Sequence, residues 1–251
     1  MQFFAAHKIR TAILAVLVFL VVLVILQFLY IKLNGTAVSV LTIPRGPEQF
    51  GQTGPTLNYV VMGDSTAVGQ GADYSKGIAR YTANYLARSH QVILTNVGVS
   101  GARVADVLNG QVAKAVALKP DVVLLAIGAN DVTHTTNLGS IEKDLTNVIT
   151  QLQAANPHIQ IVMTGSPAMG SVPRFAKPTQ WLVGWQERRV NRVIAKVAAD
   201  KHVVLVPLAA ETEQTFLDHP EYFASDKFHP NADGYAVWFP VLTRGFTKLG
   251  L

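Results

Sequence analysis

Cysteine is absent from the 251 residues. That absence removes disulfide cross-links, thiolate nucleophiles and cysteine-based metal sites, and it leaves the redox compartment unread. A folded domain in this chain therefore rests on its core, which about 200 residues can supply. Charge is also scarce, at 15% against 49% hydrophobic residues. With Lys8 and Arg10 set aside, 19 Lys and Arg face 16 Asp and Glu, an excess too small to indicate nucleic-acid binding. The densest basic cluster, "ERRVNRVIAK", suits the solvated face of a helix. Repeats and low-complexity tracts are lacking. No G-x-G-x-x-G fingerprint is completed, and no metal-ligand spacing occurs beyond the pair Asp226 and His229. Neither a cofactor nor a metal is expected.

What the chain does contain is one long apolar run, "TAILAVLVFLVVLVILQFLYI", residues 11–31, with no charge and a single amide at Gln27. At about 1.5 Å per helical residue it reaches roughly 30 Å, the hydrocarbon thickness of a bilayer. A cleaved signal peptide usually has a shorter apolar region and a small-x-small site after it. Here Ala37 offers only a weak cleavage position, so an uncleaved signal anchor is expected. The basic head, residues 1–10, belongs on the cytoplasmic side, which puts the remainder outside the cytoplasmic membrane as a single-pass protein. Residues 32–55 hold prolines and glycines without a sustained period and read as a linker, with a short extended piece at "AVSVLTI". Residues 56–251 form the soluble domain.

Within that domain, apolar runs at "LNYVVM", "QVILTNV", "DVVLLAI", "IQIVMT" and "HVVLVPL" alternate with helical patterns at 77–88, 104–118, 140–155, 181–200 and after Asn231. The runs are apolar nearly throughout, as strands covered on both faces are. Five strand–helix units predict a five-stranded parallel sheet in an α/β/α arrangement. Ligands of such sheets sit beyond the carboxyl ends of the strands. Those ends read "GDS", "GVSGAR", "GAND" and "GSPAMG".

A serine hydroxyl becomes a nucleophile only when a neighbouring base takes its proton, so Ser65 of "GDS" needs a histidine. His7 precedes the membrane run, and His90, His158 and His202 precede strands, at the far edge of the sheet. His134 follows "GAND" without an orienting acid. His219 and His229 remain, both in sequence after the fifth strand that reads as loop. Asp218 is adjacent to His219, whereas Asp226 stands three residues before His229 in "SDKFHP", a spacing at which side chains in one turn can face each other. Asp226 can then accept from Nδ1 and leave Nε2 for Ser65. Pro230 suits the first position of the following helix. Developing negative charge on a carbonyl oxygen needs donors. The Ser65 N–H, the backbone at Gly101 and the Asn130 side chain are candidates, each with an equally ordinary reading as a turn or cap.

Together these four blocks resemble the SGNH, or GDSL-type, hydrolases: "GDS" (63–65), "NVGVSGA" (96–102), "GAND" (128–131) and "DKFHP" (226–230). The resemblance spans the whole soluble domain and implies a flavodoxin-like fold. It implies Ser65 as nucleophile, His229 as base oriented by Asp226, and Ser65, Gly101 and Asn130 as oxyanion donors, with Gly98 an alternative to Gly101. It also implies an ester substrate: short acyl esters, lysophospholipids or acetylated sugars. An idle binding module and an acyltransferase using the same acyl-enzyme are the alternatives. Thr66 departs from the Leu or Ile that follows the serine in some relatives. The G-x-S-x-G lipase pattern is not met. Finally, residues 165–186 exceed an ordinary connection and are rich in Met169, Val172, Phe175, Trp181, Leu182 and Trp185. The segment suggests a substrate-side wall or a membrane-facing lip suited to an acyl chain, with Met169 to Phe175 in contact with substrate. The two tryptophans, four apart, are expected on the inner face of the next helix. Arg103 reads either as a contact for an anionic group or as a surface residue.

Overall fold

The computed structural model describes every residue except Met1, Val40 and Arg45, and side chains from His7 onward. Helix α1 (Gln2–Asn34) carries the apolar run and has no acid in its first turn. Its segment His7–Asn34 has a mean hydropathy of 3.2 and is long and apolar enough to cross a membrane. Among its described side chains only Leu23, Val24, Gln27 and Ile31 are half-buried, a stripe on one side of its last turns.

Strands β1 (Glu48–Phe50), β2 (Thr56–Gly63), β3 (Gln91–Asn96), β4 (Val122–Ala126), β5 (Gln160–Met163) and β6 (Val204–Leu205) form one sheet in the order β1-β3-β2-β4-β5-β6. The five expected runs supply β2 to β6, which pair in parallel. Their order, second-first-third-fourth-fifth, is that of flavodoxin-like sheets. The expectation of a purely parallel, five-stranded sheet is corrected by β1, which adds antiparallel to β3 with Glu48 opposite Leu94. This strand lies inside the stretch read as linker, while the described residues of "AVSVLTI" carry no strand and Val40 lies outside them. Three residues of mixed polarity at a sheet edge leave no periodic signal.

Helices α2 (Ser65–Val68), α3 (Ile78–Leu86), α4 (Val104–Gly110), α5 (Val112–Ala117), α6 (Ala129–Thr133), α7 (Leu138–Ala155), α8 (Thr179–Asp200), α9 (Leu208–Asp218) and α10 (Ala232–Thr247) connect and cover the strands. Alternate strand residues point to opposite faces. Val60, Met62, Val123, Leu125, Ile161 and Met163 pack with residues of α4, α5, α7 and α8. Tyr59, Val61, Leu94, Val122, Leu124 and Val162 pack with α3, α9 and α10. Two apolar layers sandwich the sheet, each side chain so buried contributing about 1.5–3 kcal/mol. The pattern read as one helix over 104–118 is two, separated at Gln111, whose side chain turns inward. Helix α10 begins after Pro230, capped by Asn231, which accepts from the N–H groups of Asp233 and Gly234.

Candidate active site

The carboxyl end of β2 is held by a side chain from the break between α4 and α5. Gln111 is buried, and its amide donates to the Gly63 carbonyl and accepts from the Gly63 N–H, each at 2.8 Å. Gly63 has φ +133°, and a Cβ there would overlap the Ala126 carbonyl, so only glycine lets β2 turn at this point. Asp64 follows and caps the one-turn helix α2, accepting from the Thr66 N–H at 2.9 Å and the Thr66 hydroxyl at 2.8 Å. Ser65 is thereby fixed as the first residue of α2, at the edge of the sheet where ligands bind.

From the other side, residues 223–230 form a tight loop closed by a bridge between Phe223 and Pro230. Asp226 Oδ1 accepts from the N–H groups of Phe228 and His229, at 3.0 and 3.1 Å. Its Oδ2 meets His229 Nδ1 at 2.6 Å, and His229 Nε2 meets Ser65 Oγ at 2.9 Å. Asp226 and Ser65 are buried, and the His229 side chain is 12% exposed. An imidazole held in this way can take a proton from the hydroxyl and return it.

Three further residues come to this edge. Gly101 has φ +84°. Among the described residues no hydrogen bond uses the N–H of Ser65 or of Gly101. The Gly98 N–H, by contrast, is spent on Asn96 Oδ1 at 2.9 Å, which favours Gly101 of the two glycines. Asn96 also donates to the Ala67 carbonyl, tying the glycine block to α2. Asn130 Nδ2 donates to the Ala102 carbonyl at 3.1 Å and keeps a second N–H for another acceptor. Beside it Asp131 is buried and accepts from the Val104 N–H, joining α6 to the start of α4.

The charges here are set by burial and hydrogen bonds. Burial works to raise the Asp226 carboxyl, but the His229 ring and the two backbone N–H groups outweigh it and hold it below the ordinary range. Burial pushes Asp64 up to about 6, against the Thr66 donors and the nearby His229, which pull it down. One Asp64 oxygen has no partner among the described residues. Tyr235 is raised well above its usual value, first by burial and then by Asp64 and Asp226. Its hydroxyl donates to the Gln70 carbonyl.

The remaining candidates lie elsewhere. His219 ends α9, a helix with no counterpart among the expected elements, and its side chain is 47% exposed, paired with Glu221 and stacked on Tyr222. His134 bonds the Asn130 carbonyl at the surface. Arg103 caps α4 together with Asp106. Met169 and Val172 are buried and, with Phe216, Phe223, Phe228 and Trp238, line a cavity of about 20 Å³ beside Ser65 and His229. Phe175 packs edge-on against Phe228. The inward placement expected for Trp181 and Trp185 is corrected: they are 62% and 51% exposed. The buried stripe of α8 runs through Val183, Glu187, Val190 and Ile194, and the tryptophans precede its first two members by two residues, about 200° around the helix. Gln111 carries no signal in the sequence because it acts on the Gly63 backbone, brought close only by folding, whereas Asp64 and Asn96 lie inside the quoted blocks and bond to residues two positions on.

Comparison with known proteins bears on the family and the fold. The family model described as GDSL-like Lipase/Acylhydrolase family matches residues 61–237. A GDSL-like esterase of Mycobacterium tuberculosis is 28% identical over 196 residues, which is 72% of this chain and 59% of that protein. The chain thus spans under two thirds of the length of that curated relative. Among solved structures, a phospholipase A1 from Streptomyces albidoflavus superposes with a TM-score of 0.59 at 24% identity, covering 75% of this chain and 99% of that one. An acetyl-xylooligosaccharide esterase from Geobacillus superposes with a TM-score of 0.61 at 20% identity, over 76% and 94%. The two structures share the fold, and the family match covers residues 61–237, well over half of the chain: the chain belongs to the GDSL-like lipase/acylhydrolase family.

Proposed function

We propose that the protein is a membrane-tethered serine esterase, with α1 as the anchor and the hydrolase domain on the side away from the basic head. Ser65 attacks the ester carbonyl while His229 Nε2 receives its proton. Asp226 holds the imidazole through Nδ1 and stabilises the positive charge that forms. The Ser65 and Gly101 N–H groups and Asn130 Nδ2 take the oxyanion. His229 then gives its proton to the leaving alcohol, and an acyl group remains on Ser65. Water, deprotonated by the same imidazole, attacks that acyl-enzyme and releases the acid.

The observation carrying this reading is the continuous path Asp226–His229–Ser65, at 2.6 and 2.9 Å, beside an apolar cavity. That cavity, about 20 Å³, is little larger than one water. It supports short acyl groups over long ones. The relatives act on diverse esters by name, a phospholipid in one case and an acetylated xylooligosaccharide in the other. The small cavity favours the second kind of acyl group.

The test is release of p-nitrophenol from acetyl, butyryl and longer esters by the full chain in detergent, beside Ser65→Ala. Activity that falls with chain length and disappears in the variant is the expected result. A Ser65→Ala variant as active as the parent would remove the nucleophile assignment.

A further inference from the structure

Scattered apolar side chains on a surface need no explanation. Trp181, Leu182 and Trp185 are different: 62%, 50% and 51% exposed, they share the first turns of α8. Cations flank them. Lys177 Nζ lies 5.5 Å from the Trp181 ring and the Arg189 guanidinium 4.5 Å from the Trp185 ring. Tryptophan with Lys or Arg around it is the side-chain mixture found at the headgroup level of membranes.

The position of this patch relative to α1 says what covers it. Gln27 is the only amide in the apolar run, and a polar group at that depth needs a partner. In the amide orientation that satisfies its neighbours, the Gln27 nitrogen donates to the Ala176 carbonyl at 3.0 Å and to Thr179, and its oxygen accepts from the Ala176 N–H at 2.6 Å. Phe28 packs on Phe175, ring centres 6.4 Å apart. Gln27 stands four residues before Ile31, the end of the apolar run, or about 6 Å into it at 1.5 Å per residue. The start of α8 thus lies at the depth, about 5–10 Å, to which interfacial helices sink. Trp181 and Leu182 follow Thr179 closely.

The same contacts run on to the cleft. Thr36, just past α1, donates to the Ser225 carbonyl at 2.9 Å and accepts from Arg174 at 2.7 Å. The Arg174 N–H donates to the Lys227 carbonyl, and Phe175 packs on Phe228, which lines the cavity. We propose that Trp181, Leu182 and Trp185, with Lys177 and Arg189, form a lip seated in the headgroup layer of the membrane that α1 crosses, beside the catalytic cleft. The proposal rests on the tethered reading of α1 but not on the chemistry assigned to Ser65.

The tryptophans report on it directly. The chain has three, and Trp238 is buried in the core. The full chain is reconstituted into phosphatidylcholine vesicles with and without bromine on the acyl chains near the glycerol end, then washed with alkaline carbonate. With the lip seated, bromine lowers the emission roughly twofold, since two of three indoles lie at the interface. The doubly substituted Trp181→Phe, Trp185→Phe chain loses that response. A chain that stays in the vesicles with emission indifferent to bromine overturns the lip and leaves the tether standing. The lip is equally overturned if the tryptophans resist acrylamide as well, for then a second copy or another protein covers them. Quenching that persists in the double variant also overturns it. Release of the chain by carbonate overturns tether and lip together. An inactive esterase alters none of these readings.

Discussion

Two histidine–carboxylate pairs stand ten residues apart in this chain. His219 meets Glu221 at 2.8 Å, and His229 meets Asp226 at 2.6 Å. By distance they are nearly the same interaction. The first is open to water, with the imidazole 47% and the carboxylate 64% exposed. The second is closed, at 12% and 2%. Among the described residues the first pair meets the Tyr222 ring beyond the imidazole, while the second has Ser65 and a cavity. A histidine–carboxylate contact is therefore ordinary on a surface, and the second pair is set apart by burial and by what its free ring nitrogen faces. The Glu221 carboxyl is lowered chiefly by its hydrogen bond to His219. The Asp226 carboxyl is lowered against burial, with two backbone donors assisting the imidazole.

The comparison breaks most severely if His219 matters. Ser65→Ala and His229→Ala are each expected to lower kcat on p-nitrophenyl acetate by on the order of 10⁶-fold, as loss of either member of such a unit does. His219→Ala should remain within about twofold, having no contact with the cleft. Comparable losses at both histidines would dissolve the distinction drawn from burial.

Next in size is the pair of amide substitutions. Asp226→Asn keeps an acceptor for the N–H groups of Phe228 and His229 but offers an NH₂ or a neutral oxygen to Nδ1, and a loss of about 10²–10⁴ in kcat is expected. Glu221→Gln should leave kcat unaltered within about twofold, since an exposed pair contributes little. Steady-state kinetics on the two variants, with KM measured separately, reads the difference. An Asp226→Asn variant at full kcat would reduce that residue to a structural member of the loop.

How much of this was legible beforehand follows from where the information resides. The runs at 57–62 and 121–127 announced central strands because they are apolar nearly throughout and both faces are covered. That Ser65, Asp226 and His229 come together was legible because motif and spacing survive in one dimension. The edge strand Glu48–Phe50 was not, being three residues long and paired on one side. Helix α9 could have been found: Leu208, Thr212 and Phe216 recur at a spacing of four, but the histidines that follow draw the attention away from them. The tryptophans misled because a spacing of four says two side chains share a face and does not say which face is inside. Gln111 had no signal at all. Its role depends on Gly63, 48 positions earlier, being brought to its amide by the fold.

A third difference between the two pairs is that only His229 has a second buried carboxyl nearby, Asp64, raised by burial to about 6. The sign of its effect is opposite to that of Asp226. A carboxyl raised in the folded state contributes stability that is complete below its ordinary value near 3.8 and is lost as pH rises through about 6. Asp226, held low, contributes stability present above its ordinary value and lost as pH falls below it. For Asp64 the loss between pH 4 and pH 8 is on the order of 2 kcal/mol. Asp64→Asn keeps an acceptor for Thr66 and cannot ionise. Denaturant melts of parent and variant at the two pH values should show that the variant has escaped this decline. Parallel profiles would mean that Asp64 is ionised without penalty, and the burial argument at the site would fall with it.

The smallest effect concerns the cavity that only the second pair adjoins. If the acyl group enters the space between Met169, Val172 and Phe228, its walls decide the length accepted. Val172 is 3% exposed, and Val172→Ala removes two methyl groups from that wall at a cost in stability of about 1.5 kcal/mol. One methylene of fit in an apolar pocket is worth about 1–3 kcal/mol between competing substrates. The ratio of kcat/KM for octanoyl over acetyl ester should therefore rise roughly tenfold in the variant, with little change on acetyl itself. His219→Ala, at the solvent-facing pair, should leave the ratio where it is. If Val172→Ala also leaves it where it is, the acyl group lies outside this cavity, and the leaving alcohol becomes the better candidate for its occupant.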